Sequence, residues 1–242
     1  MTEKENDIFE TEEPKQGYMT SDEIDADETE EQIDNHNYKS ANKLNDKVAI
    51  ITGADSGIGG AVAVAFAKEG ANLVLTDLEN GEDAAKVREL CKKYGSEVVW
   101  LTGDVGEENF AQEVVDATVG AFGKVDILVN NAAQQLVHDS ILDISASQLE
   151  RTFRTNVFAL FYFVKAALPH FAEGGSIINT TSVTAYRGSP NLLDYSSTKG
   201  AMVTFTRSLA QNKEFLDKKI RVNAIAPGPI WTPLIPATTG GT

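Results

Sequence analysis

The chain has 242 residues, of which 42% are hydrophobic and 24% charged, the composition of an ordinary globular protein. Its formal net charge is −15, and an acidic chain repels phosphate backbones, which argues against nucleic acid as a partner. It lacks the apolar run of about 20 residues that a membrane span needs, and it lacks the apolar core of a signal peptide. We therefore expect a cytoplasmic protein without a membrane partner.

The negative charge is concentrated in the first segment. Residues 1–40 contain 14 acidic and 3 basic side chains, whereas residues 41–242 contain 22 and 18. Residues 1–40 also have few aliphatic side chains and no hydrophobic period, which predicts a solvated, disordered extension. Residues 41–242 are predicted to form a single domain.

From residue 47 onward, short apolar runs alternate with amphipathic segments, which predicts strands and helices in turn. The predicted strands are 48–52, 72–77, 97–104, 125–132, 176–182 and 221–227. The predicted helices are 61–70, 82–94, about 107–121, 145 to about 167, and the segment containing Tyr195. Ser145 and Gln148 resemble a capping box at the start of the fourth helix. Cys91 has the spacing of a packed helix residue, so we expect a buried thiol.

The predicted strands are almost continuously apolar, as in a parallel sheet that is covered on both faces. Right-handed crossovers between six such strands give a doubly wound, Rossmann-type α/β domain. A ligand is then expected at the carboxyl ends of the strands. The histidines His36, His138 and His170 are scattered and have no metal-ligand spacing, so we expect no metal site.

A glycine-rich turn, "TGADSGIG" at 52–59, lies between the first strand and the first helix. Gly53, Gly57 and Gly59 allow a sharp turn and the close approach of a pyrophosphate, whose charge a helix N-terminus favours. The spacing differs from the usual G-x-G-x-x-G, so a purely structural glycine loop stays open as an alternative. No lysine follows as in a P-loop, which gives an ATPase little support.

Asp77 ends the second predicted strand, where a carboxylate can accept hydrogen bonds from ribose hydroxyls and repel a 2′-phosphate. The turn carries no Lys or Arg to receive that phosphate. Together these features favour NAD over NADP, with NADP still possible. The alternative is that Asp77 caps a loop or the next helix.

Tyr195 and Lys199 are four residues apart in "YSSTK", so both project from one face of a helix. By itself such a pair is either surface decoration or an acid–base device. The sequence also contains "GDV" (103–105), "NNAA" (130–133), Asn156, Ser182 and "PGPIWT" (227–232). With the glycine turn, this ordered set resembles the short-chain dehydrogenase/reductase family over about residues 45–236. The acidic extension and "GADSGIG" are similar to a bacterial subgroup that includes general-stress oxidoreductases.

The resemblance implies an oxidoreductase that transfers a hydride between a nicotinamide cofactor and a carbonyl or alcohol. Tyr195 is then the proton donor or acceptor, and the cation of Lys199 lowers the pKa of Tyr195 and binds the nicotinamide ribose. Ser182 orients the reacting oxygen, and Asn156 holds a water in a proton relay. The full-length protein is expected to form a homo-oligomer, specifically a homotetramer. It is also expected to act in the stress response.

The resemblance and the turn together predict a set of cofactor-binding residues: Gly53, Asp55, Ser56, Gly57, Ile58, Gly59, Asp77, Asp104, Val105, Asn130, Ala132, Tyr195, Lys199, Pro227, Gly228, Ile230 and Thr232. Two of these have alternative roles, because Asp104 can cap the next helix and Asn130 can tie neighbouring strands together.

Family members usually continue beyond the P-G segment into a substrate-covering lid and a seventh strand, which this sequence does not show. The sixth strand is then expected to be an apolar sheet edge. Two alternatives to an enzyme therefore stay open. One is an inert dinucleotide-binding protein whose acidic tail engages a partner, and the other is a truncated product without a complete substrate pocket.

Overall fold

The computed structural model describes residues 33–230, 232 and 234. The strands in these residues are β1 Val48–Thr52, β2 Asn72–Asp77, β3 Val98–Thr102, β4 Val125–Asn130, β5 Phe171–Thr180 and β6 Arg221–Ile225. The α-helices are α1 Gly57–Lys68, α2 Glu82–Lys93, α3 Glu108–Phe122, α4 Ala146–Phe153, α5 Ala159–Ala167, α6 Thr184–Arg187, α7 Leu193–Leu209 and α8 Lys213–Asp217. Short 3₁₀ turns occur at Ile141–Asp143 and Leu168–His170, and a π-helical turn occurs at Arg154–Phe158. No helix in this described part is long and apolar enough to cross a membrane.

The six strands form one parallel sheet in the order β3-β2-β1-β4-β5-β6. This confirms the predicted doubly wound, Rossmann-type fold. The chain leaves β1 in one direction to build β2 and β3, and then crosses back to place β4 on the other side of β1. The strand order therefore reverses between β1 and β4, which opens a crevice at their carboxyl ends.

Apolar side chains cover both faces of the sheet, as the continuous apolar strands predict. Helices α1 and α2 pack on one face around Ile51, Leu73 and Val87. Helices α3 and α5 pack on the other face around Leu128 and Phe163. Because strands β1 to β5 supply side chains to both cores, the sheet is a rigid base for the loops at its carboxyl edge.

Several predicted boundaries differ from those observed. The first helix begins at Gly57 rather than at residue 61, because Ser56 has the extended backbone of an N-cap and the glycine turn continues directly into the helix. Strand β5 begins at Phe171, which pairs with Val125 before the register shifts near the left-handed Gly174. Strand β6 lies at the edge of the sheet in the described residues, as expected.

Cys91 lies on α2 and is fully buried. Burial raises the pKa of its thiol to about 12, because the interior disfavours the thiolate. The prediction of a buried, packed thiol is therefore confirmed.

The predicted domain boundary after residue 40 is wrong for residues 33–40, which pack against the domain. Ile33 is only 8% exposed and belongs to the core cluster of α1 and α2. The Tyr38 hydroxyl donates a hydrogen bond to the carboxylate of Glu69. The charged sequence did not predict these contacts, because one aliphatic residue and one tyrosine do not form a hydrophobic period. Residues 1–32 of the predicted extension lie outside the described residues.

Glu69 generates a prediction about stability and pH. Its carboxylate accepts hydrogen bonds from Tyr38 and from the backbone N–H groups of Lys43 (2.7 Å) and Ala41 (3.2 Å). The bond from Tyr38 and those from the backbone lower the pKa of Glu69 from 4.5 to about 2. A carboxyl whose pKa is lower in the folded state contributes stability above its unfolded pKa, and this stability is lost as pH falls through the folded pKa.

We expect Glu69→Gln to lower the urea midpoint of unfolding at pH 7. The difference from the unaltered chain should narrow as pH falls from about 4.5 toward 2. Glu173→Gln is the control, because Glu173 is an exposed carboxylate paired with Lys219 and should change the midpoint little. If the urea midpoints of Glu69→Gln and of the unaltered chain differed by the same amount at every pH, this account would be contradicted.

Candidate active site

A cleft of about 660 Å³ lies where the strand order reverses, at the carboxyl ends of β1 and β4. Most of the predicted site residues line it. They are Gly53, Asp55, Ser56, Gly57, Ile58, Asp77, Asp104, Val105, Ala132, Ser182, Tyr195, Lys199, Pro227, Gly228, Ile230 and Thr232. Three predicted residues are not part of the lining, namely Gly59, Asn130 and Asn156.

The glycine turn fits closely against the end of β4. Gly53 has a φ of 65°, and a Cβ on it would lie 2.7 Å from the Cα of Ala132. A Cβ on Gly59 would lie 1.8 Å from the carbonyl oxygen of Gly53. The turn therefore requires a glycine at position 59, although Gly59 does not line the cleft. The Ser56 hydroxyl bonds to Asp55 (2.8 Å) rather than capping α1. The first-turn N–H groups of α1 thus have no side-chain cap and suit an anion.

Two carboxylates lie beside this turn. One oxygen of Asp77 accepts the backbone N–H of Leu78 (2.7 Å), and the other lies 3.4 Å from the backbone nitrogen of Asp55. Burial and the neighbouring charge of Asp55 raise the pKa of Asp77. This end of the cleft therefore repels further negative charge and offers acceptors to hydroxyl groups.

Asp104 is held between a local turn and a helix. One oxygen accepts the backbone N–H of Gly106 (2.8 Å), and the other forms an ion pair with Arg151 of α4. The Arg151 Nε in turn donates to the Gln134 side chain (3.3 Å). Sequence reasoning missed Arg151 and Gln134, which both line the cleft. The alternative that Asp104 caps the next helix is not observed, because the N-cap of α3 is Glu107.

Ser182, Tyr195 and Lys199 come together at the other end of the cleft. Tyr195 and Lys199 are 7% and 1% exposed, so the pair is not surface decoration. The Lys199 Nζ lies 5.2 Å from the centre of the Tyr195 ring and donates to the backbone carbonyl of Thr180 (2.8 Å). The side chains of Tyr195 and Ser182 are hydrogen-bonded. The three groups therefore lie within one buried pocket.

The expected lowering of the Tyr195 pKa by Lys199 is wrong for this structure. Burial raises the pKa of Tyr195, and the hydrogen bond with Ser182 offsets only part of that rise. Burial also lowers the pKa of Lys199 to about 7, so its charge is itself disfavoured. Sequence spacing identified the neighbours, but it carries no information on how strongly each is desolvated.

Asn156 lies behind the cleft, in the π-helical turn that interrupts the predicted continuous helix. Its amide nitrogen donates to the carbonyl of Gln134 (2.8 Å) and to the Thr198 hydroxyl (3.0 Å), and its oxygen accepts the Gln134 N–H (2.8 Å). Both amide hydrogens are thus used within the protein. The side chain anchors the loop that forms one wall of the cleft, and π-turns of this kind are frequent at functional sites.

Asn130 ties strands rather than lining the cleft, because its amide donates to the Asn179 side chain of β5 (2.9 Å). Its neighbour Asn131 lines the cleft and donates to the carbonyl of Gly53 (2.9 Å). The "NNAA" run therefore marked the right place but did not distinguish the two asparagines. Alternation along the predicted strand 125–132 would have separated them, since successive side chains of a strand point to opposite faces.

Thr155 and Thr180 are two further lining residues that the sequence did not indicate. Both are buried, at 8% and 6% exposure, and neither hydroxyl has a hydrogen-bond partner within the described part of the chain. Buried hydroxyls are normally satisfied, so these two are suited to a polar ligand in the cleft. Together with the uncapped glycine turn, they fit a group that carries both phosphate and hydroxyl oxygens.

Asp194 fixes the start of the helix that carries Tyr195. It is 3% exposed, and one oxygen accepts the backbone N–H of Tyr195 (2.8 Å). The other oxygen accepts the Thr152 hydroxyl (2.8 Å) and the Gln148 amide (3.2 Å), both on α4. Ser145 caps α4 by accepting the Gln148 N–H (3.1 Å), as predicted, but the Gln148 side chain reaches Asp194 instead of completing the capping box.

Fold and site define a Rossmann-type α/β protein with a buried Ser–Tyr–Lys group at the carboxyl edge of its sheet. Residues 53–241 match the family model described as enoyl-(acyl carrier protein) reductase. The chain belongs to the short-chain dehydrogenase/reductase family, which confirms the predicted resemblance.

Individual relatives support the same assignment. The uncharacterized oxidoreductase YhdF of Bacillus subtilis strain 168 is 58% identical over 205 residues, which are 85% of this chain and 70% of that protein. General stress protein 39 of the same organism is 52% identical over 201 residues, 83% of this chain and 70% of its own.

Solved structures are also similar. A short-chain dehydrogenase from Burkholderia cenocepacia J2315 in complex with NADP has a TM-score of 0.75 at 31% identity, covering 79% of this chain and 77% of its own. An NAD⁺-bound xylitol dehydrogenase has a TM-score of 0.71 at 34% identity, covering 77% and 71%.

The Asp194 contacts generate a prediction. Thr152→Val keeps the side-chain shape but removes a donor to a buried carboxylate, so we expect it to cost about 1.5–3 kcal/mol of stability. Thr152→Ser retains the hydroxyl and loses one methyl group, at a cost of about 1 kcal/mol. Urea denaturation of both variants measures the difference. A valine variant as stable as the unaltered chain would show that the bond to Asp194 contributes nothing.

Proposed function

We propose that this protein is an NAD(P)-dependent oxidoreductase that transfers a hydride between a nicotinamide cofactor and a carbonyl or alcohol substrate. The observation that carries the proposal is the buried group Ser182, Tyr195 and Lys199 in the same cleft as the glycine turn. Family membership and the NADP and NAD⁺ bound by similar structures support it. The substrate is a small molecule whose identity the cleft does not specify.

The described residues fit a dinucleotide. The uncapped first turn of α1 after Gly57 would hold the pyrophosphate, and Asp77 would accept hydrogen bonds from the adenosine ribose. The Thr155 and Thr180 hydroxyls, which have no hydrogen-bond partner among the described residues, and the Lys199 ammonium would meet the nicotinamide half. When bound, the cofactor supplies or accepts the hydride.

In this proposal Tyr195 transfers the proton at the substrate oxygen. Its raised pKa keeps the phenol protonated near neutral pH, which suits a proton donor in carbonyl reduction. Ser182, hydrogen-bonded to Tyr195, would orient the same substrate oxygen. Lys199, held by the Thr180 carbonyl, would supply positive charge beside the phenol once a ligand favours its protonated form.

An inert dinucleotide-binding protein is the competing function, because binding needs only the glycine turn and the ribose contacts. Assay of a panel of aldehydes and sugars with NADH and NADPH distinguishes the two functions. Cofactor binding without turnover on any substrate would favour the inert protein.

We also propose, from the family and the surface, that the protein self-associates and resides in the cytoplasm. Phe158 and Phe161 are 38% and 48% exposed near one face of α5, and the Phe161 ring contacts Phe205 of α7 at 4.6 Å between ring centres. Exposed aromatic residues in one area favour contact with a second copy. The relationship to General stress protein 39 supports a role in the stress response.

The catalytic assignment predicts different effects for two variants. Tyr195→Phe should abolish carbonyl reduction while leaving the Kd for NADH unchanged, because only the hydroxyl is removed. Lys199→Ala should lower turnover and also weaken cofactor binding, because it removes a cofactor contact as well as the cation. Steady-state kinetics and NADH fluorescence titration measure the two effects. Near-normal turnover by Tyr195→Phe on any accepted substrate would refute the assignment.

The carboxylates at the turn predict cofactor preference. We expect NADH to bind more tightly than NADPH, by about tenfold or 1.4 kcal/mol, because Asp77 and Asp55 would face the 2′-phosphate. Asp77→Asn should narrow this ratio by improving NADPH binding. Fluorescence titration with both dinucleotides measures it, and an equal or reversed ratio in the unaltered chain would contradict the role of Asp77.

A further inference from the structure

Residues 33–45 form a segment, here named the N-terminal strap, that contacts both ends of α1. At the first turn, a Cβ on Gly60 would lie 3.7 Å from the Cγ2 of Ile33. Just beyond the last turn, a Cβ on Gly70 would lie 3.2 Å from the Cα of Asn45. The Leu44 N–H also donates to the carbonyl of Glu69 (3.0 Å). The strap therefore contacts both ends of a helix that is about 18 Å long for its 12 residues.

A buried ionic cluster fastens the strap to α1. Asp34 forms an ion pair with Lys68, and each side chain is only 7% exposed. The Tyr94 hydroxyl of α2 donates to Asp34 (2.8 Å), and Lys68 also donates to the backbone carbonyl of Asn35 (2.8 Å). Burial opposes ionisation of Asp34, but the hydrogen bonds from Lys68 and Tyr94 hold its pKa below the usual value. Breaking such a pair leaves a buried charge without compensation.

Glu69 adds a second attachment, since its buried carboxylate accepts donors from three strap residues, Tyr38, Ala41 and Lys43. The C-terminal end of α1 thus depends on the strap for the partners of two charged side chains, with Asp34 paired to Lys68 and these donors bonded to Glu69. Without the strap, water would have to solvate the side chains of Lys68 and Glu69 where they lie. The strap consequently covers this end of the helix and holds its two charged side chains.

We propose that the N-terminal strap positions α1 so that its first-turn N–H groups are held ready for the cofactor pyrophosphate. This rests on the proposed function, because it assigns the glycine turn to a dinucleotide. A tilt of about 5° around the C-terminal end of an 18 Å helix moves its N-terminus by about 1.5 Å, enough to break a hydrogen bond. A helix that must be reoriented on binding weakens cofactor binding, because the free energy needed to order it is subtracted from the binding free energy.

The test uses the full chain with the double substitution Ile33→Ala and Asp34→Asn, which removes the strap's packing near Gly60 and its ion pair with Lys68. Fluorescence titration with NADH and NADPH gives the Kd, and hydrogen exchange without cofactor reports on the amides of residues 57–60. We expect the Kd to rise about 5–10-fold for both dinucleotides, and exchange at 57–60 to accelerate.

The control is Phe215→Leu, a core substitution on α8 that belongs to the opposite face of the sheet. Thermal denaturation shows whether the two proteins lose comparable stability, and the control should bind both dinucleotides within about twofold of the unaltered chain. An unchanged Kd in the strap variant, or an equal rise in the control, would overturn the positioning role. If the unaltered chain binds neither dinucleotide, the proposed function fails instead, and unchanged exchange at 57–60 would then refute the strap separately.

Discussion

The close approach of the backbone at Gly53 to Ala132 is the constraint on which the cleft depends. A Cβ at Gly53 would lie 2.7 Å from the Ala132 Cα, so the turn after β1 can lie against the end of β4 only if this residue has no side chain. Asn131 fastens the same junction by donating to the Gly53 carbonyl (2.9 Å). The parallel pairing of β1 with β4 sets the strand direction, and the turn then directs α1 toward the crevice.

At the opposite end of the cleft, the burial of Lys199 opposes its positive charge. Lys199 is 1% exposed and has one hydrogen bond within the described residues, to the carbonyl of Thr180. That contact does not offset the desolvation of an ammonium, and burial accordingly lowers the pKa of Lys199 to about 7. Burial raises the pKa of Tyr195 at the same time. Both groups are thus shifted toward their neutral forms, and a ligand that brings negative charge would favour the lysine cation again.

Sequence patterns predicted the fold well because they depend on local chemistry. Apolar runs gave the six strands, and the parallel order followed from strands that are covered on both faces. The glycine turn and the Tyr195–Lys199 pair were found because fixed spacings act within one turn or one helix. Arg151 and Thr155 were not predicted, because they line the cleft only when α4 and the π-helical turn fold against loops more than 15 residues away. Ile33 escaped for the same reason, since its partners lie on α1 and α2.

Three side chains share one physical task, which is to join α4 and its π-helical turn to the rest of the site. Arg151 connects α4 to Asp104, Asn156 connects the π-turn to Gln134, and Thr152 connects α4 to Asp194. A regular α-helix rotates each residue by 100°, so a continuous helix would not necessarily face all three partners. The π-turn at Arg154–Phe158 inserts extra backbone between α4 and α5. It therefore lets α4 face the cleft loops while α5 keeps its apolar face on the sheet, which ties the wall of the site to the core.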